Sequence, residues 1–189
     1  MDNFTNPFVW MLRFRHRRGY GVHSPFAYEF LTNVVYEKGE FYQYSTLDRE
    51  LALKQRFRIR QCLHLMFRLS NHLQPGTAFV DEPTGQAARY VMAGCHKCRL
   101  TDKPDDEELD LCLLASPNDQ AACRIREGGV LVVDNLRQHH AWFASLPAVL
   151  TFDLWDMGIA FFDSRYNKQH YIVNFTWNPT STQARGTPA

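Results

Sequence analysis

The sequence predicts an α/β protein with a mostly parallel sheet behind a helical N-terminal extension. Three observations lead there. Up to about residue 75, apolar residues recur at helical spacing without strand-like alternation. Beyond Pro75-Gly76, short apolar runs alternate with helical stretches, the pattern of strands joined by crossover helices. The last two apolar runs are separated only by the polar segment Asp163 to Gln169, short enough to close an antiparallel hairpin.

In the first part, Phe4, Phe8, Met11 and Leu12 make a short apolar stripe, and Phe57, Leu63, Met66, Phe67 and Leu69 belong to a longer one. Ser24-Pro25 reads as a helix start: the serine hydroxyl accepts a free amide proton of the first turn, and proline there loses no hydrogen bond. This helix is expected to run to about Glu37 and stop at Gly39. An aromatic connector, Phe41 to Tyr44, then leads to a long helix from about Thr46 to His72, closed by Pro75-Gly76. Strands are expected at Ala78 to Asp81, Cys98 to Thr101, Leu109 to Ala115, Val130 to Asp134, Val149 to Leu154, Gly158 to Phe162 and His170 to Phe175. Helices are expected at Gln86 to Ala93, Asn118 to Arg126 and His139 to Ser145. The organisation is therefore an extension (1–75), an α/β core (76–177) and a disordered, Pro/Thr/Ser-containing tail (178–189).

A length of 189 residues, 45% of them hydrophobic and 22% charged, suits one substantial core. No apolar run approaches the roughly 18 to 20 residues that span a bilayer, and the first residues do not read as a leader. A cytoplasmic protein without a membrane partner is expected. Five cysteines, an odd number with Cys112 inside a strand-like run, read as reduced thiols. The net charge of +1 hides a split: residues 1–74 carry 11 Lys/Arg against 6 Asp/Glu, and the rest 10 against 14. Arg13 to Arg18 interleaves cations with Phe14 and could neutralise phosphates on nucleic acid. A solvated helix face, or attraction to the acidic run Asp105 to Glu108, is the favoured reading, so a nucleic-acid partner is not expected.

Several segments carry a resemblance. Glu127-Gly-Gly-Val-Leu-Val-Val-Asp134-Asn135-Leu136 resembles the fifth strand of class I O-methyltransferases, Leu109 to Ala115 is similar to that family's fourth, and the terminal strands to its last two. Arg17-Arg18-Gly-Tyr-Gly-Val-His23-Ser24-Pro25-Phe26, with Asp153 to Phe162 and Lys168-Gln169-His170, resembles a group of methyltransferase-like proteins from bacteria of the Bacteroides type. The resemblance spans most of Asn6 to Trp177. It implies a Rossmann-like, S-adenosylmethionine-dependent methyltransferase fold with a small-molecule substrate that remains unspecified.

Such a fold places its cofactor on a glycine-rich turn after strand one, on an acid after strand two, and in an adenine pocket built between strands two and four. Here Asp81-Glu82-Pro83-Thr84-Gly85 keeps the acid, and Asp81, Glu82 and Gly85 are the cofactor-binding candidates. Pro83 stands where glycine is expected, bringing a ring and removing an amide donor. Asp102, 21 residues beyond Asp81, matches the ribose-binding acid. Only Lys103 to Glu108 separates it from the next strand, and six mostly charged residues cannot supply a helix, a strand and a second helix. The reading is a shortened, eroded member of the family, and the alternative is a binding or interaction module on the same scaffold.

Relatives that use Mg²⁺ hold it with an acid after strand four and an Asp-Asn pair after strand five. Asp134-Asn135 supplies the pair, so both are metal candidates, but Ala115-Ser116 replaces the first acid, Asp119 lies a helical turn away, and the balance is against Mg²⁺. The competing reading makes these residues the cap of the following helix. Asp134 and His139 are the catalytic candidates, the imidazole of His139, or of its neighbour His140, as a general base. Cys95-His96-Lys97-Cys98 has the spacing of half a zinc site but lacks two further ligands. His23 is expected to anchor the extension to the core. A sheet short of one strand would leave an edge that a homodimer could cover.

Overall fold

Strand formation follows the apolar runs. The computed structural model describes Met11, Arg13 and residues 21–50, 57–81 and 85–175. Its strands are β1 (Thr77–Asp81), β2 (Arg99–Thr101), β3 (Leu109–Leu114), β4 (Ile125–Asp134), β5 (Leu150–Asp153), β6 (Met157–Phe161) and β7 (Gln169–Ile172). They form one sheet in the order β2-β1-β3-β4-β6-β5-β7. The first four are parallel, β6 is antiparallel to both neighbours, and β7 is parallel to β5. β3 and β4 read as near-continuous apolar runs because both faces are covered; Leu111, Cys112, Leu114 and Val130 to Val133 are all buried.

The C-terminal hairpin forms from different strands than the sequence suggests. It joins β5 to β6 through the two-residue turn Trp155-Asp156, with the Leu154 N–H donating to the Met157 carbonyl at 2.9 Å. Because β6 sits between β4 and β5, both its edges are taken, and the chain returning through 162–168 passes β5 to pair on its far side.

The helices are α1 (Pro25–Phe30), α2 (Tyr42–Glu50), α3 (Phe57–Leu73), α4 (Gln86–Gly94), α5 (Asp119–Cys123) and α6 (Leu136–Ser145). Ser24 caps α1 as expected, its Oγ accepting from the Ala27 N–H at 3.3 Å. α1 continues into a π-helical turn, Leu31–Val35. Buried Arg68 satisfies carbonyls there, its Nε donating to Val34 at 2.6 Å and its Nη2 to Val35 at 3.3 Å. The expected aromatic connector is instead the start of α2: Tyr44 is buried, stacked on His64 at 3.7 Å and edge-on to Phe67, so packing overrides its weak helical preference. α5 is short because β4 begins at Ile125, five residues earlier than the apolar run suggests. The stripe residues Phe4, Phe8 and Leu12, the segment Phe14 to Arg18, Glu82-Pro83-Thr84 and the tail 178–189 lie outside the described residues.

Strand alternation divides the core into two layers. On one face Phe30, Phe67 and Tyr90 pack with Leu111, Leu113, Val130, Val132, Phe152 and Phe161. On the other, Leu109, Cys112, Leu114, Leu131 and Val133 pack against α5 and α6. Phe30 lies 5.0 Å from both Phe152 and Phe161, which ties α1 into the same layer as the sheet. Among the described residues no helix is long and apolar enough to cross a membrane. The β2 edge is three residues long, with an exposed Arg99 that pairs with Glu107.

A polar cluster links α2, α3 and α4. Asp48 Oδ1 accepts from the Tyr90 hydroxyl at 2.5 Å and lies 2.9 Å from His64 Nε2. Burial pushes the His64 pKa below its ordinary value, outweighing the hydrogen bond and charge of Asp48; Arg68 and Arg60 add to the lowering. A depressed histidine pKa favours folding while both states are neutral, so this contribution is complete above about pH 6.5. As pH falls through that value the unfolded chain takes up the proton first and the contribution is lost. The urea midpoint is expected to fall between pH 7.5 and 5.5, and His64→Gln to flatten that slope; an unchanged slope in the variant would contradict this assignment.

Candidate functional site

The strand order reverses direction between β1 and β3: the chain moves from β1 outward to β2, then crosses back to β3 on the other side. In open α/β sheets, ligands bind outside the carboxyl ends of the strands at such a switch point. A cleft of about 190 Å³ lies there. Asp81 ends β1, Leu113 and Ala115 mark the end of β3, and Asp134 ends β4. Met157 belongs to the lining because it pairs directly with Asp134 across the β4–β6 ladder. The opposite wall comes from α3, through Ile59, Cys62, Leu63 and Met66, with Ala87 from the first turn of α4. Two carboxylates therefore meet an otherwise mostly apolar surface.

Gly85 begins α4 in the left-handed region, φ 64°, and a Cβ built there would meet nothing within 4 Å. The demand for glycine is conformational rather than one of space. Of the cofactor candidates, Asp81 lines the cleft and Gly85 immediately precedes its α4 wall; Glu82 lies outside the described residues. Asp102 is not brought to the cleft. It is exposed, in the turn after β2, and the segment to β3 contains a single 3₁₀ turn, Pro104–Asp106. Within the acidic run Glu107 pairs with Arg99, while Phe14 to Arg18, the expected partner segment, lies outside the described residues.

Asn135 occupies the cap position of α6 with φ 52°, but its side chain makes no capping bond. Asp134 reaches the cleft, while His139 lies on α6, outside the cleft lining. Exposed His140 sits 3.5 Å from Asp153 Oδ2. Asp119 accepts from Trp142 Nε1 at 2.7 Å, so it serves α6 packing. Among the described residues no group of three or more His, Cys, Asp or Glu side chains is placed to hold a metal ion. Cys95 and Cys98 are buried, and burial, then Cys95 and Asp110, push the Cys98 thiol up to about 11, the opposite of what a thiolate ligand or redox nucleophile needs. His23 is exposed.

Two sets of residues escaped the sequence reading. The α3 wall was visible only as an apolar stripe, which any packed helix shows. Arg13 is bound to Asp153, 140 positions away, a pairing without local signal. Burial disfavours the Asp153 charge, but the hydrogen bonds and charge of Arg13, the Trp155 N–H and His140 together hold its carboxyl below the usual range.

No protein-family model matches the chain. No curated protein matches it either. Solved structures that match include a methyltransferase from Geobacter sulfurreducens, with a TM-score of 0.46 and 11% identity, covering 66% of this chain and 92% of that one. Another is the O-methyltransferase TomG from Streptomyces achromogenes, involved in tomaymycin synthesis and solved in complex with SAM, with a TM-score of 0.37 and 14% identity over 58% of this chain and 71% of that one.

Proposed function

We propose that the chain is a methyltransferase-like small-molecule-binding domain whose cofactor site is eroded at the adenine end. The observation that supports this reading is the position of the cleft: it lies at the switch point, bounded by Asp81 at the end of β1 and Asp134 at the end of β4, beside a helix that starts at a left-handed Gly85. Those features suit the amino-acid end and reacting end of adenosylmethionine, where a carboxylate and close backbone approach are needed. The adenine end fits poorly. Asp102 is exposed, and the one 3₁₀ turn after it offers no second wall among the described residues.

Met66 and Met157 both line the cleft, whereas Met92 does not. With methyl-labelled methionine, adenosylhomocysteine at millimolar concentration is expected to shift the Met66 and Met157 signals and leave Met92 in place. Shifts that spare both cleft methionines would sink the assignment.

A further inference from the structure

The turn between β5 and β6 is strained and heavily bound. Trp155 has φ 82°, a left-handed conformation that costs a bulky side chain and persists only where its surroundings impose it. Arg13 supplies much of that imposition. Its Nη1 donates to the Asp153 carbonyl at 3.0 Å, to Asp153 Oδ1 at 3.1 Å and to the Val173 carbonyl at 3.2 Å, while Nη2 donates to Oδ1 at 3.1 Å and Oδ2 at 3.0 Å. The guanidinium carbon also lies 4.8 Å from the centre of the Trp155 ring. Asp153 Oδ1 in turn accepts the Trp155 backbone N–H at 2.7 Å, so one carboxylate holds both the arginine and the turn.

From the turn, two contacts reach the start of α6. The Asp156 carbonyl accepts the Leu136 N–H at 3.0 Å, and its carboxylate forms an ion pair with Arg137, Oδ1 lying 3.0 Å from Nε, with the Arg137 guanidinium 5.8 Å from the Trp155 ring. Leu136 and Arg137 are the first residues of α6, directly after Asp134-Asn135. The next residue of the turn, Met157, pairs with Asp134 and lines the cleft.

We propose that Arg13 is a positioning residue for the cleft: by clamping Asp153 and Trp155 it fixes the β5–β6 turn, and that turn fixes the start of α6 and the Asp134 edge. The inference rests on the reading of the cleft as the ligand site, but its structural half can be measured without any ligand. Arg13→Lys keeps the charge while losing the forked donor set and the flat face over the indole.

Hydrogen exchange of the full-length chain, wild type against Arg13→Lys, is expected to show the Leu136 and Trp155 amides exchanging at least tenfold faster, with amides of β1 and β3 unchanged. The Met157 methyl signal is expected to move while Met66 stays. Unchanged exchange at Leu136 would overturn the proposal, and so would equal acceleration at every amide, which marks a general loss of stability. Arg13→Met is the stronger variant, and Arg13→Lys carries the result if that variant does not fold. Failure of adenosylhomocysteine to occupy the cleft would remove the ligand reading and leave the exchange result intact. If the cleft reading holds, Arg13→Lys also weakens adenosylhomocysteine binding severalfold, and an unaltered affinity would overturn the coupling to the site.

Discussion

Replacing Gly94 by alanine is expected to cost about 3 kcal/mol, near the upper end of ordinary overpacking. A Cβ at this position would lie 2.4 Å from the backbone oxygen of Phe67 and 3.1 Å from both the Asn71 nitrogen and the Ser70 Cβ. The closest obstacle is backbone, so no side-chain rotation relieves it and α3 must move away from α4. The Ser70 hydroxyl, buried and donating to the Val91 carbonyl at 2.7 Å, marks the same tight crossing. For a chain of this length the loss corresponds to a fall in Tm of roughly 10 °C, measurable by calorimetry or circular dichroism. The same contact sets the cleft, because α3 supplies one wall and α4 the first turn beside Asp81. A variant as stable as the wild type would show that the two helices do not meet so closely.

The second large effect concerns ligand affinity. Ligand pockets for drug-sized molecules usually occupy roughly 300–1,000 Å³, and the cleft measures about 190 Å³. An adenine ring left without walls forfeits the contacts of roughly ten heavy atoms, worth about 0.3 kcal/mol each in ligands of this size. That is about 3 kcal/mol, or a factor of more than 100 in Kd. Starting from roughly 10 μM, within the usual range for enzymes and their small ligands, a loss of that size puts adenosylhomocysteine binding in the millimolar range.

Much of the fold was legible because each strand is a short apolar run bounded by turn residues, and the helix after Ser24-Pro25 begins where its capping chemistry requires. Strand pairing was less legible. Nothing local in Gly158 to Phe162 states that both edges of that strand are occupied, so the sequence pattern points the terminal hairpin to the wrong neighbours. Around the cleft, the positions of Asp81 and Asp134 at strand ends and of Gly85 before a helix are legible because strand ends and helix starts are marked by their own residues. Asp102 matched in spacing only: β2 stops one residue earlier and leaves it exposed. The α3 wall and the Arg13–Asp153 clamp depend on tertiary contacts between distant segments, and the left-handed Trp155 is imposed by those contacts rather than encoded by its side chain.

The most direct measurement is an isothermal calorimetric titration of the full-length chain with adenosylhomocysteine. A domain whose switch-point cleft is intact but whose adenine end is open predicts weak binding, with no saturation below about 1 mM. Saturable binding at micromolar concentration would contradict it, because affinity of about 8 kcal/mol requires walls around the base that the single turn between Asp102 and Leu109 does not provide.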